Sequence, residues 1–170
     1  IHRIILMIEM GDLREGILPK DLPFVIKEVI KLPGIRIVGL GANFACLGGV
    51  IPTEQKMKEF STIANHIQRQ FSLDFAYISG GNSANYHWFS NTRNVGKINH
   101  LRLGESIFLG RETVKGDCIP GLYSDAFIFI GEVIESKIKP SVPMGEISRN
   151  AFGQTLSFKE RGLIRHTIIG

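Results

Sequence analysis

Along the first two thirds of the chain, short apolar runs alternate with amphipathic ones. Residues 3–10 are almost continuously apolar and stop at Gly11, the pattern of a parallel strand buried on both faces. Residues 21–32 carry Phe24, Val25, Val29 and Leu32 at helical spacing, and Pro33-Gly34 closes that helix. Residues 35–40 form the next strand, leading into Gly41-Ala42-Asn43-Phe44. Thr53, just behind Pro52, is placed to cap a helix that runs to about Gln70, with Met57, Phe60, Ile63, Ala64 and Ile67 on one face. A third strand is expected over residues 73–78, a short helix over 84–89 and a fourth strand over 98–103. This alternation of strand, loop and helix predicts an α/β fold built on a parallel sheet with crossover helices.

After Gly110 the pattern changes. Residues 127–134 are apolar and rich in β-formers, and Ile138, Val142 and Ile147 lie among prolines and glycines with no amphipathic helix. We therefore expect an α/β segment over residues 1–110 and antiparallel strands, the start of an all-β domain, over 111–170. The chain opens in one strand-like run, residues 4–8, and stops in another, residues 167–170. A strand at a chain end exposes an edge unless something pairs with it, so a piece of a longer protein is expected.

Charge changes the picture little. Twenty basic and 16 acidic residues give a net charge of +4, and the basic side chains are scattered. That suits a small anion better than a nucleic acid, so no nucleic-acid partner is expected. No apolar stretch reaches the length of a membrane span and no signal peptide is evident, so no membrane partner is expected. Cys46 and Cys118 are too few for a disulfide framework, and no Cys/His spacing suits a metal. The expectation is a cytoplasmic protein with two reduced thiols.

Each polar constellation follows the C-terminal end of an expected strand, where α/β enzymes place their sites. Two such ends stand out: Ser79-Gly80-Gly81-Asn82-Ser83 and Leu101-Arg102-Leu103-Gly104-Glu105. Glycine lets backbone N–H groups approach an anion closely, and Ser83 adds a hydroxyl donor. Gly-Gly-Asn alone is ordinary turn chemistry; a second, neighbouring strand end of the same kind favours a phosphate cradle. Arg102 sits in an apolar strand and needs a partner there, either a ligand or one of Glu9, Glu105 and Glu112. Arg14 and Glu15, on the loop after the first strand, read as a surface ion pair. Asn43 reads as a ligand contact or a turn residue, and Cys46 as a small buried apolar residue. His66, His87 and His100 have no triad-like or metal-like spacing.

Four segments in order, Gly11-Asp12-Leu13-Arg14-Glu15-Gly16, Gly41-Ala42-Asn43-Phe44-Ala45-Cys46, Gly81-Asn82-Ser83-Ala84 and Leu101-Arg102-Leu103-Gly104-Glu105, resemble the alanine racemase family of pyridoxal-phosphate enzymes, fold type III. With Gly110-Arg111-Glu112-Thr113, the resemblance is to its alanine/ornithine racemase branch and spans most of residues 1–115. It implies the C-terminal half of a pyridoxal-phosphate-binding (β/α)₈ TIM barrel, strands five to eight, followed by a β-domain. It implies an amino-acid racemase that removes and returns the Cα proton of a small amino-acid substrate, working as a homodimer in amino-acid metabolism. In that family Ser83 and Gly104, with Asn82 and Glu105 beside them, would hold the cofactor phosphate. Arg102 would face the ring nitrogen and Arg14 the ring oxygen. Asn43 would stand where the family often places a histidine against the ring. No lysine here sits in the family's Schiff-base motif, so no catalytic residue is assigned in this segment and that lysine is expected upstream. Tyr123, the one tyrosine after Gly110, has no local support as the opposite-face base that racemisation needs. The competing readings are a non-enzymatic pyridoxal-phosphate carrier on the same barrel and an unrelated phosphate-ligand binder.

Overall fold

The computed structural model describes residues 1–170. It divides into two compact units, Ile1–Phe127 and Ile128–Gly170.

The first unit is α/β. Strand β1 (His2–Ile8) is followed by helix α1 (Leu22–Val29), strand β2 (Ile35–Ala42), helix α2 (Glu54–Phe71) and strand β3 (Tyr77–Ser79). The strands lie in the order β1-β2-β3, all parallel. β2 is central and is buried along nearly its whole length, as its run of apolar and glycine residues requires. A register shift between Ile4 and Ile5 leaves Val38 as the extra residue of β2.

Helix α2 follows the sequence pattern. The Thr53 side chain accepts a hydrogen bond from the Lys56 N–H, capping the helix. Met57, Phe60, Ala64 and Ile67 are buried and Ile63 packs at the rim of the same core. Helix α1 departs from it. Its buried residues are Leu22 and Ile26, one turn apart; Phe24 is on the opposite face and 68% exposed. Leu32 lies beyond the last helical residue and is also exposed. Both helices contribute to one core with Ile8, Ile37, Leu40 and Ile78 of the strands. No helix is long and apolar enough to cross a membrane.

The expected strands at residues 73–78 and 98–103 are also corrected. β3 has three residues, and the second segment makes only a single parallel bridge, Ser79 to His100. Asn99 supplies the reason. Its side-chain carbonyl accepts the Ile78 N–H at 2.8 Å and its amide donates to the Ala76 carbonyl at 2.9 Å. A side chain thus takes the places that a neighbouring backbone would fill in a regular ladder. The segment still runs beside β3, with Gly80 N–H on His100 and Arg102 N–H on Gly81 carbonyls. Beyond β3 come a 3₁₀ turn (Ser83–Asn85), helix α3 (Tyr86–Asn91) and helix α4 (Glu105–Leu109).

The second unit holds one antiparallel pair, β4 (Val133–Pro140) and β5 (Leu163–Ile169). The rest of residues 111–170 carries no further strand, only an isolated bridge between Arg111 and Cys118. The apolar run at 127–130 precedes β4 as exposed irregular chain.

Candidate functional site

Parallel strands deliver their C-terminal loops to one edge of the sheet, and side chains lace those loops together. Asp12, in the loop after β1, is buried; its carboxylate accepts the N–H groups of Cys46, Leu47 and Val50 at 3.1, 2.9 and 3.1 Å. Burial alone would raise the Asp12 pKa. The backbone donors of Val50, Leu47, Cys46 and Gly48 outweigh it and hold the carboxylate below its ordinary range. Asn82 ties the third loop to the second through Nδ2 on the Phe44 carbonyl at 2.8 Å, and its Oδ1 accepts the Ala84 N–H, capping the 3₁₀ turn. Gly81 has φ +147°, and a Cβ there would fall 1.9 Å from Asn85 Oδ1. That buried amide accepts the Asn82 N–H and donates to the Gly80 carbonyl, so the turn admits only glycine.

Asn82, Ser83, Arg102, Gly104 and Glu105, with Ala45, Cys46 and Thr113, line one cavity of about 270 Å³. At its wall three donors converge on the Ser83 hydroxyl: Gly104 N–H at 3.3 Å, Ser106 N–H at 3.1 Å and Ser106 Oγ at 3.1 Å. A hydroxyl oxygen has two lone pairs, so this corner is over-supplied with donors. A Cβ built on Gly104 would meet nothing within 4 Å, so its backbone borders open space. Surplus donors beside open space suit an anion with several acceptor oxygens. Buried Ser106 was not among the sequence candidates, because one serine after a glycine carries no pattern of its own.

Arg102 is half-buried and has no carboxylate partner, so none of Glu9, Glu105 and Glu112 neutralises it. Its guanidinium donates to Ser79 Oγ, to the Ala42 carbonyl at 2.8 Å and to Asn43 Oδ1 at 2.5 Å. Asn43 in turn donates through Nδ2 to Glu15, and Glu15 pairs with Arg14 at 3.2 Å. Arg14 also reaches Cys46 Sγ at 3.1 Å; Cys46 is exposed rather than buried, because its loop lies at the open edge of the cavity. Burial lowers the pKa of Arg102; the charge of Glu15 opposes that and the charge of Arg14 adds to it. The guanidinium stays protonated throughout, as arginine does in proteins. Arg14 and Asn43 thus join the site through Arg102 and Cys46, outside the cavity lining.

A second polar cluster joins Glu112, from the Gly110-Arg111-Glu112-Thr113 segment, to His87 and Asp117. Buried Glu112 accepts the N–H groups of Val114, Lys115 and Asp117, and His87 Nε2 lies 3.6 Å from it and 4.0 Å from Asp117. Burial pushes the Glu112 pKa up, but the backbone donors and His87 carry it below the ordinary range. Its oxygens serve a tight turn that carries Thr113 to the cavity. Tyr123 is 80% exposed and belongs to the first unit.

Comparison with known proteins places this geometry. Residues 1–112 match the family described as alanine racemase, N-terminal domain. The chain is 39% identical over 170 residues to an ornithine racemase of Acetoanaerobium sticklandii, covering 99% of this chain and 48% of that protein. It is 37% identical over 166 residues to a lysine racemase of Thermotoga maritima, covering 98% of this chain and 46% of that protein. The chain therefore spans about half the length of these relatives. Among solved structures, D-threonine aldolase from Filomicrobium marinum aligns with a TM-score of 0.50 at 16% identity, over 70% of this chain and 33% of that one, which supports the fold alone. A family match over residues 1–112, about two thirds of the chain, makes this chain a member of the alanine racemase N-terminal domain family.

Proposed function

We propose that this chain is the cofactor-gripping part of a pyridoxal-phosphate-dependent amino-acid racemase. Pyridoxal 5′-phosphate is the cofactor of the family. The observation that carries the reading is the convergence of three donors on Ser83 Oγ, with Arg102 lining the same cavity. The names of its relatives point to ornithine or lysine as the substrate class. The first unit supplies strands of a (β/α)₈ barrel, the second opens a β-domain, and the working form is a homodimer. Two unpaired thiols, Cys46 and Cys118, fit a reducing compartment.

The residues fit the group. Ser83, Gly104 and Ser106 would hold its phosphate, with Asn82 and Glu105 at the sides. Arg102 would face its ring nitrogen and Arg14 its ring oxygen. When bound, the cofactor supplies an electron sink that acidifies the Cα–H of the amino acid joined to it. Arg102 would donate a hydrogen bond to the ring nitrogen without surrendering the proton, which would keep that nitrogen uncharged and the sink modest. The Asp12, Asn82 and Glu112 bridges keep the loops fixed, so the donors are oriented before the anion arrives.

The test uses the full-length protein that carries this chain. With pyridoxal phosphate bound, single-enantiomer ornithine and lysine are followed by circular dichroism. Decay of the signal to zero is expected. A protein that binds the cofactor, by its visible absorption, yet leaves the signal intact is a carrier. Failure to bind the cofactor leaves only a phosphate-ligand binder. Arg102→Ala and Ser83→Ala should each weaken cofactor binding by roughly tenfold or more, the scale of one charge-assisted or well-placed hydrogen bond.

A further inference from the structure

We infer that Glu15 is a positioning residue for Arg102, acting through the Asn43 side chain; this rests on the cofactor reading above. Asn43 can present either its oxygen or its nitrogen toward Arg102, and only the oxygen can accept from a guanidinium. Glu15 fixes that choice from the far side of the amide. Its carboxylate can only accept, so it binds Nδ2 and turns Oδ1 toward Arg102. Arg102 grips the oxygen end of that amide and Glu15 the nitrogen end, so without Glu15 the amide is held from one side only.

Charge points the same way. Arg102 and Arg14 are both cationic, and Arg102 has only neutral direct partners: Ser79, Ala42 and Asn43. Glu15 sits between the two cations, paired directly with Arg14 and separated from Arg102 by one amide. Of the nearby charges, Glu15 favours the charged guanidinium of Arg102 and Arg14 opposes it. Arg102 is thus fixed from behind by a chain that ends on a carboxylate in a different loop. A histidine at position 43 could present a nitrogen acceptor by choice of tautomer alone. An asparagine there needs an acceptor behind it, and Glu15 is that acceptor.

Cofactor affinity separates this role from general support of the loop. The full-length protein is titrated with pyridoxal phosphate and with its 1-deaza analogue, in which a C–H replaces the ring nitrogen. Glu15→Ala should weaken pyridoxal phosphate about tenfold while changing the analogue by less than about twofold, because the analogue has no acceptor for Arg102. Glu15→Gln keeps a carbonyl acceptor for Asn43 and should restore binding to within about twofold of the parent. Far-ultraviolet circular dichroism checks that each variant is folded. Equal losses on both ligands would make Glu15 a loop support and overturn the inference. So would an unchanged affinity in Glu15→Ala, or a Glu15→Gln variant as weak as the alanine. If the parent protein binds no pyridoxal phosphate, the cofactor reading itself fails and takes this inference with it.

Discussion

At the scale of single residues, the site depends on side chains that organise backbone as much as on those that line the cavity. Asp12 is the clearest case, with three backbone N–H groups from the second loop on one buried carboxylate. Asp12→Ala would strand those donors and should cost about 2–3 kcal/mol in urea unfolding of the full-length protein. Acid titrates the same interaction. The folded-state pKa values of Asp12 and Glu112 lie below their ordinary values. Their contribution is therefore complete above the unfolded carboxylate pKa of about 4 and is lost as pH falls through the lower folded value. Urea midpoints should drop on acidification below about pH 4, and less steeply in Asp12→Asn. Arg102 and Ser83 were legible in the sequence, because an arginine in an apolar strand and a serine after Gly-Gly-Asn are unusual there. The Arg14–Glu15 ion pair was legible too, since the two residues are adjacent; the roles of Asp12 and Ser106, and the reach of Glu15 to Asn43, were not, because those partners lie on other loops or need the α4 turn to bring them close.

Among the elements, α2 was the most legible. Its cap, its length and its apolar face each follow from local spacing, and a single buried face over 18 residues leaves little choice. Thr53→Ala should cost about 1 kcal/mol, read from the same urea unfolding. Helix α1 is only eight residues, so a two-turn helix offers several faces of similar apolarity, and packing selected Leu22 and Ile26 over Phe24. The segment at 98–103 has strand composition, yet the Asn99 amide occupies the ladder positions of Ala76 and Ile78. Asn99→Ala should cost about 1–2 kcal/mol and lower amide protection at Ile78, measured by hydrogen exchange.

For the molecule as a whole, the two units differ in what supports them. The first has a continuous core around β2, with α1, α2 and both neighbouring strands contributing. The second has one antiparallel pair with mostly exposed residues, including Ile134, Ile138 and Leu163. A two-stranded sheet is marginal by itself in water. Hydrogen exchange on the full-length protein should find β2 and α2 the slowest amides of this chain, and an excised 128–170 peptide should show no cooperative unfolding transition.

What the sequence determined by itself is periodic or local: the α/β alternation, the capped helix α2, and the placing of polar residues after strand ends. The four family segments are also readable in order, since each is a short run of adjacent residues. Tertiary structure alone decided which face of α1 is buried, how far β3 extends, and which side chains meet behind Arg102. The physical reason is range. Turn chemistry and helical spacing act over a few residues, whereas Asp12 meets Cys46, Asn43 meets Arg102 and Ser83 meets Ser106 across loops joined only when the parallel strands align.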